Sequence, residues 1–233
     1  GGIDHIPVHH NNEIAQSESV TGKPLAHLWM HGAFLNWKDK KMSKSDGSFI
    51  TLENLKERGI PALAFRYLLL QSKYRQPIVF DIKSLEASHT AYGRLLSRIY
   101  AIYHELPVDA PSNHTQLNNL LRPIEDAMLD DLNTAKALAQ VWTQVTDNIH
   151  WFAPISRADF TAYIKAVDTL LGLNLGLVVA HIDIPKHVQK KITERDHAKK
   201  EKDFEKADKL RIEIRELGYE VLDSKDGTQV MKK

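Results

Sequence analysis

From residue 84 to 105, Leu85, Tyr92, Leu95, Leu96, Ile99 and Tyr103 recur at the three-to-four-residue interval of an α-helix, and the same kind of segment repeats on both sides. This restricts the chain to a mainly α fold. Ser84 is placed to cap that long helix, and Pro107 and Pro111 end it. Upstream, Thr51 suits the N-cap of a short helix that closes at Gly59, and Pro61 suits the first turn of a helix reaching about residue 73. Downstream, helices are expected over 116–129, 131–150 and 156–171. Residues 59–171 therefore read as an antiparallel helical bundle whose Leu, Ile and aromatic positions form the core. With 233 residues and 42% hydrophobic content, the chain can bury a core for one or two domains. No apolar run approaches the length of a membrane span, so no membrane partner is expected.

Residues 172–184 are rich in Gly and Val without a helical period, and read as a linker or short strand. A small α+β tail domain is expected over 185–233. Pro185 opens one helix, and Asp203 caps a second with Phe204, Ala207, Leu210, Ile214 and Leu217 as its apolar stripe. Gly218 stops it, and extended segments at 219–222 and 228–231 flank an Asp226-Gly227 hairpin turn. The net charge of +1 argues against a nucleic-acid footprint over the whole surface. Its distribution is uneven: residues 186–215 hold eleven Lys/Arg against seven Asp/Glu, an excess of four that leaves −3 elsewhere. Lys206, Lys209, Arg211 and Arg215 share the polar face of the second tail helix, which the residue types alone describe as a solvated face. The absence of cysteine rules out disulfides and agrees with a cytoplasmic setting.

Residues 1–58 carry the chemistry. They read as a turn, a helix over 9–20, an extended piece over 25–35 and a loop with the string Lys41-Met42-Ser43-Lys44-Ser45, followed by Asp46-Gly47-Ser48. Two lysines, hydroxyls and a glycine suit a polyphosphate, because each ammonium is a point charge with three donors on a flexible stem. Composition alone equally fits a solvated surface loop. His9 and Glu13 lie four apart, so in a helix they share one face. Together they can serve one zinc ion or form an ordinary exposed His–Glu pair.

The string Lys41-Met42-Ser43-Lys44-Ser45 resembles the second signature of class I aminoacyl-tRNA synthetases. The run Gly1-Gly2-Ile3-Asp4-His5-Ile6-Pro7-Val8-His9-His10-Asn11-Asn12-Glu13-Ile14-Ala15-Gln16-Ser17 is similar to that of cysteinyl-tRNA synthetases. So are Trp29-Met30-His31, Ala64-Phe65-Arg66-Tyr67, Tyr74-Arg75, Asp130-Asp131-Leu132-Asn133-Thr134, the run from Lys202-Asp203-Phe204 to Leu217-Gly218, and Asp226-Gly227-Thr228. The resemblance covers nearly the whole chain in order. It implies a class I catalytic remainder over 1–58 with a phosphate loop, a tRNA-binding bundle over 59–171, a linker over 172–184 and an anticodon-binding-like tail over 185–233.

The activity so implied is ATP-dependent activation of cysteine and its transfer to the tRNA for cysteine. Lys44 and Lys41 then contact the triphosphate of ATP, which enters with Mg, while Gly1, Gly2, Asp4 and His31 receive the adenosine side. His9 and Glu13 correspond to the family's His and Glu zinc ligands, and His10 takes a structural role. Adenylate formation needs no general acid or base, since the protein mainly positions groups and neutralises charge.

The chain also departs from the family pattern. With no cysteine it lacks the two Cys ligands of the zinc, and it lacks the His-x-Gly-His signature. Asp46-Gly47-Ser48 replaces the usual Leu-Gly-Asn, which adds a carboxylate beside the phosphate loop. The expectation is a carboxy-terminal half whose partner is a missing amino-terminal half, inactive alone. Two alternatives stay open: an ATP-dependent cysteine ligase of a small-molecule pathway, as in mycothiol biosynthesis, and a non-catalytic tRNA-binding module.

Overall fold

The computed structural model describes residues 1–37, 40–41, 51–146, 149–179, 184–224 and 227–232. The fold is mainly α, as the periodicity predicts. The chain forms two compact units: residues 1–89 with 126–138, and residues 90–125 with 139–233.

In the first unit a 3-10 turn (Ile3–His5) and a π-helical turn (Ile6–His10) lead into helix α1 (Asn11–Thr21). The single helix expected over 9–20 is thus entered through a wider turn holding Pro7, which has no backbone N–H to give an α ladder. Gly22, at φ 64°, ends α1 and donates its N–H to Glu18 at 2.8 Å. Strand β1 (Leu35–Trp37) pairs antiparallel with β2 (Lys40–Lys41), and a later strand (Ile78–Phe80) runs parallel to β1, with Leu35 opposite Ile78. The extended piece expected over 25–35 is corrected here: before β1 it forms only an isolated bridge, Gly32 to Gly2. The strand after Pro77, β3, was not expected, because three residues are too few to show a period of two.

Helix α2 (Leu52–Glu57) starts at Thr51, whose hydroxyl accepts from the Asn54 N–H while the Asn54 side chain accepts from Thr51, a complete capping box. Helix α3 (Ala62–Leu70) follows Pro61. Leu55, Ile60, Ala64, Leu68, Phe80 and Leu85 form the buried core of this unit, with Leu35 and Phe65 packed on it.

Helices α4 (Ile82–Glu105), α5 (His114–Leu129) and α6 (Thr134–Thr146) begin one or more residues away from the expected starts. Asp81, not Ser84, caps α4: its carboxylate accepts from the Ser84 N–H at 2.7 Å. Helix α6 begins three residues late because Asp131 and Leu132 both adopt left-handed φ values, 53° and 52°. Asn133 then caps it through the Lys136 N–H.

The second unit contains α7 (Arg157–Leu171), capped by a Ser156–Asp159 box and closed by Gly172 at φ 62°. The Gly- and Val-rich stretch read as a linker or strand carries a 3-10 turn (Leu175–Val178), with Leu173, Leu175, Val178 and Val179 buried. The Tyr92 hydroxyl donates to Leu173 O at 2.7 Å. Helices α8 (Lys186–Lys200) and α9 (Phe204–Glu216) and the antiparallel pair β4 (Tyr219–Ser224) and β5 (Gly227–Lys232) complete the chain. Their core is Val188, Ile192, Ile214, Tyr219 and Val221. No helix among the described residues is long and apolar enough to cross a membrane.

Candidate functional site

In the first unit the amino-terminal turn is laced to residues 30–32. Gly32 donates its N–H to Gly1 O at 2.8 Å, and Ile3 donates to Gly32 O at 3.1 Å. At Gly1 and Gly2 an added Cβ would meet side chains of the same turn, which would have to move to admit it. A Cβ at Gly1 would sit 2.7 Å from His10 Cε1, and one at Gly2 would sit 2.4 Å from Asp4 Oδ1. The expected adenosine-side residues Gly1, Gly2 and His31 are therefore brought together, and Asp4 stands beside Gly2.

Around them lies a set of rings. His10 Nδ1 and His31 Nε2 share a hydrogen bond of 2.8 Å, and the Trp29 ring lies parallel to His31 with centroids 6.2 Å apart. His10 also packs on Trp29, at 4.8 Å, and on His5, at 5.2 Å. Desolvation first, then the neighbouring His31, lowers the His10 pKa below the ordinary histidine value. A neutral ring suits its shared hydrogen bond. His10 thus sits at the centre of the ring cluster, and His5 is a member that the sequence did not single out.

His9 sits in the π turn and Glu13 in the first turn of α1. The His9 Nε2 and Glu13 Oε1 atoms are 3.5 Å apart, with the two side chains 62% and 47% exposed. Ligands about 2.0–2.1 Å from a tetrahedral zinc are separated by roughly 3.3 Å, so this pair matches one edge of such a polyhedron. The pair fits the ion, and both donors are open to further ligands. Among the described residues no group of three or more His, Cys, Asp or Glu could hold a metal, and the chain has no cysteine.

Lys41, the first residue of the Lys-Met-Ser-Lys-Ser string, lies on β2 with its backbone opposite Asn36. Lys44 and the rest of that string lie outside the described residues. The segment before β1 is held on its other side as well: Ala33 donates to Tyr74 O at 2.7 Å. The neighbouring Tyr74 and Arg75 side chains converge on Asp131, which accepts from Tyr74 Oη at 2.8 Å and from Arg75 Nε and Nη2 at 2.6 and 3.1 Å. The Arg75 and Tyr74 hydrogen bonds, in that order, hold the Asp131 carboxyl below the usual range. The sequence marks all three residues, and the structure shows them to be one interaction.

In the second unit α8 and α9 present the basic stretch. Several cations there are occupied: Lys191 pairs with Glu213, Lys209 with Glu205, and Lys199 with Asp223. Arg195 is 3% exposed and bonds Asp223 and Asp196. Burial opposes ionisation of Asp223, but the hydrogen bonds from Arg195 and Lys199 outweigh it and hold the carboxyl at about 2. Among the described residues Lys186, Lys200, Lys202, Lys206, Arg211 and Arg215 make no ion pair.

Residues 1–90 match a family model described as the class I (C) tRNA synthetase catalytic domain, and residues 181–230 match one described as the cysteinyl-tRNA ligase anticodon binding domain. A cysteine–tRNA ligase of Chlamydia caviae is 38% identical over 242 aligned positions, covering 100% of this chain and 50% of the relative. Cysteine–tRNA ligase 1 of Burkholderia lata is 37% identical, over 99% of this chain and 46% of the relative. The corresponding ligase of Caldicellulosiruptor saccharolyticus is 37% identical, over 99% and 51%. The chain spans about half the length of the curated relatives it matches.

Proposed function

The chain belongs to the cysteinyl-tRNA synthetase family, and from that premise we propose that it supplies one part of a cysteine–tRNA ligase: the adenosine-side turn, two zinc ligands, the phosphate loop and the surface that holds the tRNA for cysteine. The observation that carries this reading is the His9–Glu13 donor pair, at tetrahedral-edge spacing beside the laced 1–3 and 29–32 segments.

In the reaction the cysteine carboxylate attacks the α-phosphate of Mg-bound ATP and pyrophosphate leaves; a terminal ribose hydroxyl of the tRNA then attacks the carbonyl of the adenylate, forming the ester and releasing AMP. Gly1 and Gly2 keep Cβ atoms out of the ligand's path, Asp4 accepts from ribose hydroxyls, and His31 lines the adenosine side. Lys44 and Lys41 neutralise the triphosphate as charge moves to the leaving oxygens. His9 and Glu13 would hold the zinc, together with two cysteines from outside this chain. Bound there, zinc prefers a thiolate to a hydroxyl, which gives a direct readout of the substrate's sulfur. This chain alone is not expected to aminoacylate.

Residues 59–171 act as an antiparallel bundle and 185–233 as the anticodon-binding-like tail, joined by 172–184, with catalytic residues confined to 1–58. Phosphate contacts fall to the unpaired lysines and arginines of α8 and α9. The setting is cytoplasmic. A small-molecule cysteine ligase has no use for the segment matching the anticodon-binding model, which disfavours that alternative.

The test is binding of this chain to the tRNA for cysteine and to a second tRNA, each at two salt concentrations. Preference for the former that survives the higher salt is expected. Equal binding that collapses with salt, or no binding, would overturn the tRNA assignment.

A further inference from the structure

Tyr74 and Arg75 are the two corner residues of a tight turn in the first unit, across which the Gln76 N–H donates to Lys73 O at 2.9 Å. The Arg75 guanidinium lies over the Tyr74 ring, 5.2 Å from its centroid, and both side chains donate to the Asp131 carboxylate. The turn between α5 and α6 holds the same stretch a second time, where the Thr134 hydroxyl donates to Ser72 O at 3.3 Å. With Arg75 and Asp131 63% and 53% exposed, their ion pair adds little to stability. Asp131 nevertheless stands at the end of α5 with a φ of 53°, a left-handed position where glycine costs least. An aspartate there supplies what glycine lacks, a carboxylate facing the Tyr74–Arg75 turn.

What this clamp fixes is the peptide between the two corners. Its carbonyl is Tyr74 O, which accepts the Ala33 N–H at 2.7 Å. The middle peptide of a tight turn is the one whose reversal separates type I from type II, and reversal would carry that carbonyl away from Ala33. Arg75 does not have the positive φ that the reversed form requires. Holding both corner side chains on one carboxylate anchors the chain at each end of the peptide and opposes its rotation. Ala33 adjoins Gly32, which exchanges hydrogen bonds with Gly1 and Ile3, and His31 shares one with His10. Apart from the Gly2–Gly32 bridge, residues 29–32 belong to no strand. The segment carrying Trp29 and His31 is thus held by the amino-terminal turn on one side and by Tyr74 O on the other. The Tyr74–Arg75 turn then runs into β3, where the Ile78 N–H donates to Phe34 O at 3.0 Å.

We propose that Asp131 is a positioning residue for the nucleotide: by clamping Tyr74 and Arg75 it keeps Tyr74 O on the Ala33 N–H, and so keeps His31 in place beside Gly1 and Gly2. Asp131 acts through the turn and not on a substrate. A carboxylate suits this task because its two oxygens take the Arg75 fork and the phenol proton together, whereas an amide offers one oxygen. The effect falls on ATP, since a small displacement of an oriented binding group is enough to lose its contribution. That the His31 segment faces adenosine rests on the functional reading above; the clamp and its grip on Ala33 do not.

The experiment begins with Asp131→Asn, which keeps the size and tolerates the left-handed backbone while removing the charge and one acceptor oxygen. In this chain, amide hydrogen exchange followed by NMR should show the Ala33 N–H exchanging about tenfold faster, with the amides of α3 and the melting temperature unchanged. In a complete ligase carrying this segment, the KM for ATP in pyrophosphate exchange should rise about tenfold while tRNA affinity stays the same. Tyr74→Phe removes one of the three hydrogen bonds and should move both readouts the same way by a smaller factor, which keeps the test valid if Asp131→Asn melts early. His31→Ala in the same ligase tests the adenosine reading by itself. A raised KM for ATP in His31→Ala, with none in Asp131→Asn or Tyr74→Phe, would overturn the proposal and leave that reading standing. Faster Ala33 exchange with an unchanged KM in all three variants would overturn the adenosine reading, and the nucleotide role of Asp131 with it. Exchange that quickens equally at Ala33 and throughout α3 would reduce the clamp to a general stabilising contact and overturn the proposal.

Discussion

A carboxylate and an imidazole 3.5 Å apart, both half exposed, stabilise a protein very little as an ion pair, yet they are spaced for one metal ion. The Glu13→Gln substitution keeps the size and removes the charge that zinc needs. In a complete enzyme carrying this segment it should lower bound zinc at least tenfold, read by metal analysis after dialysis, with the melting temperature unchanged. Retained zinc at equal affinity would refute the ligand assignment. In the same enzyme Lys44→Ala should slow adenylate formation, followed by pyrophosphate exchange, far more than it changes tRNA affinity; the reverse pattern would count against its triphosphate role. His9 and Glu13 were legible because a spacing of four survives the π turn. Arg157 was not, since nothing in the order of residues reveals that its guanidinium ends up on the His104 carbonyl and beside the Tyr103 ring.

Among the elements, the sequence placed most helices and misplaced several of their ends, and two of these errors have a visible cause. Asp81 takes the capping role read for Ser84 because the helix starts at Ile82, which puts the Ser84 N–H within reach of the Asp81 carboxylate. The α5–α6 boundary shifted because Asp131 turns left-handed, a strained conformation that its three hydrogen bonds to Tyr74 and Arg75 help to hold. Contacts between residues 56 and 57 positions apart cannot be read from a local period. Where the cap was read correctly, it can be tested: Ser156→Ala removes a buried hydroxyl that accepts the Asp159 N–H at 3.1 Å. It should cost about 1–2 kcal/mol, visible as a lower urea midpoint at unchanged slope. An unchanged midpoint would mean that the Asp159 contacts with Ser112 and Asn113 hold the start of α7 without it.

Across the whole molecule, acidity tests both units at once, because carboxyls in each are held ionised by specific donors. Asp131 in the first unit, and Asp159 and Asp223 in the second, have pKa values below the ordinary carboxylate range. For Asp159, burial opposes the hydrogen bonds from Ser112, Asn113 and Ser156, which prevail. An unfolded chain with carboxyls near 3.9 takes up these protons first, so the stabilisation is complete above about pH 4 and is lost as the pH falls through the folded values, about 2 for Asp223. His104 acts earlier: burial and then Arg157 lower its pKa, so the unfolded chain gains that proton first and stability begins to fall below about pH 6.5. Urea unfolding at pH 7, 5, 4 and 3 should therefore show a shallow loss and then a steep one. Asp223→Asn takes away the carboxylate that pairs with buried Arg195 and with Lys199, on the order of 1–2 kcal/mol at pH 7, since Asp223 is itself 44% exposed. Because the variant has no group to protonate there, its difference from wild type should shrink toward pH 2. A difference that stays constant with pH would show that packing around Arg195, not the ionised carboxylate, holds α8 to β4.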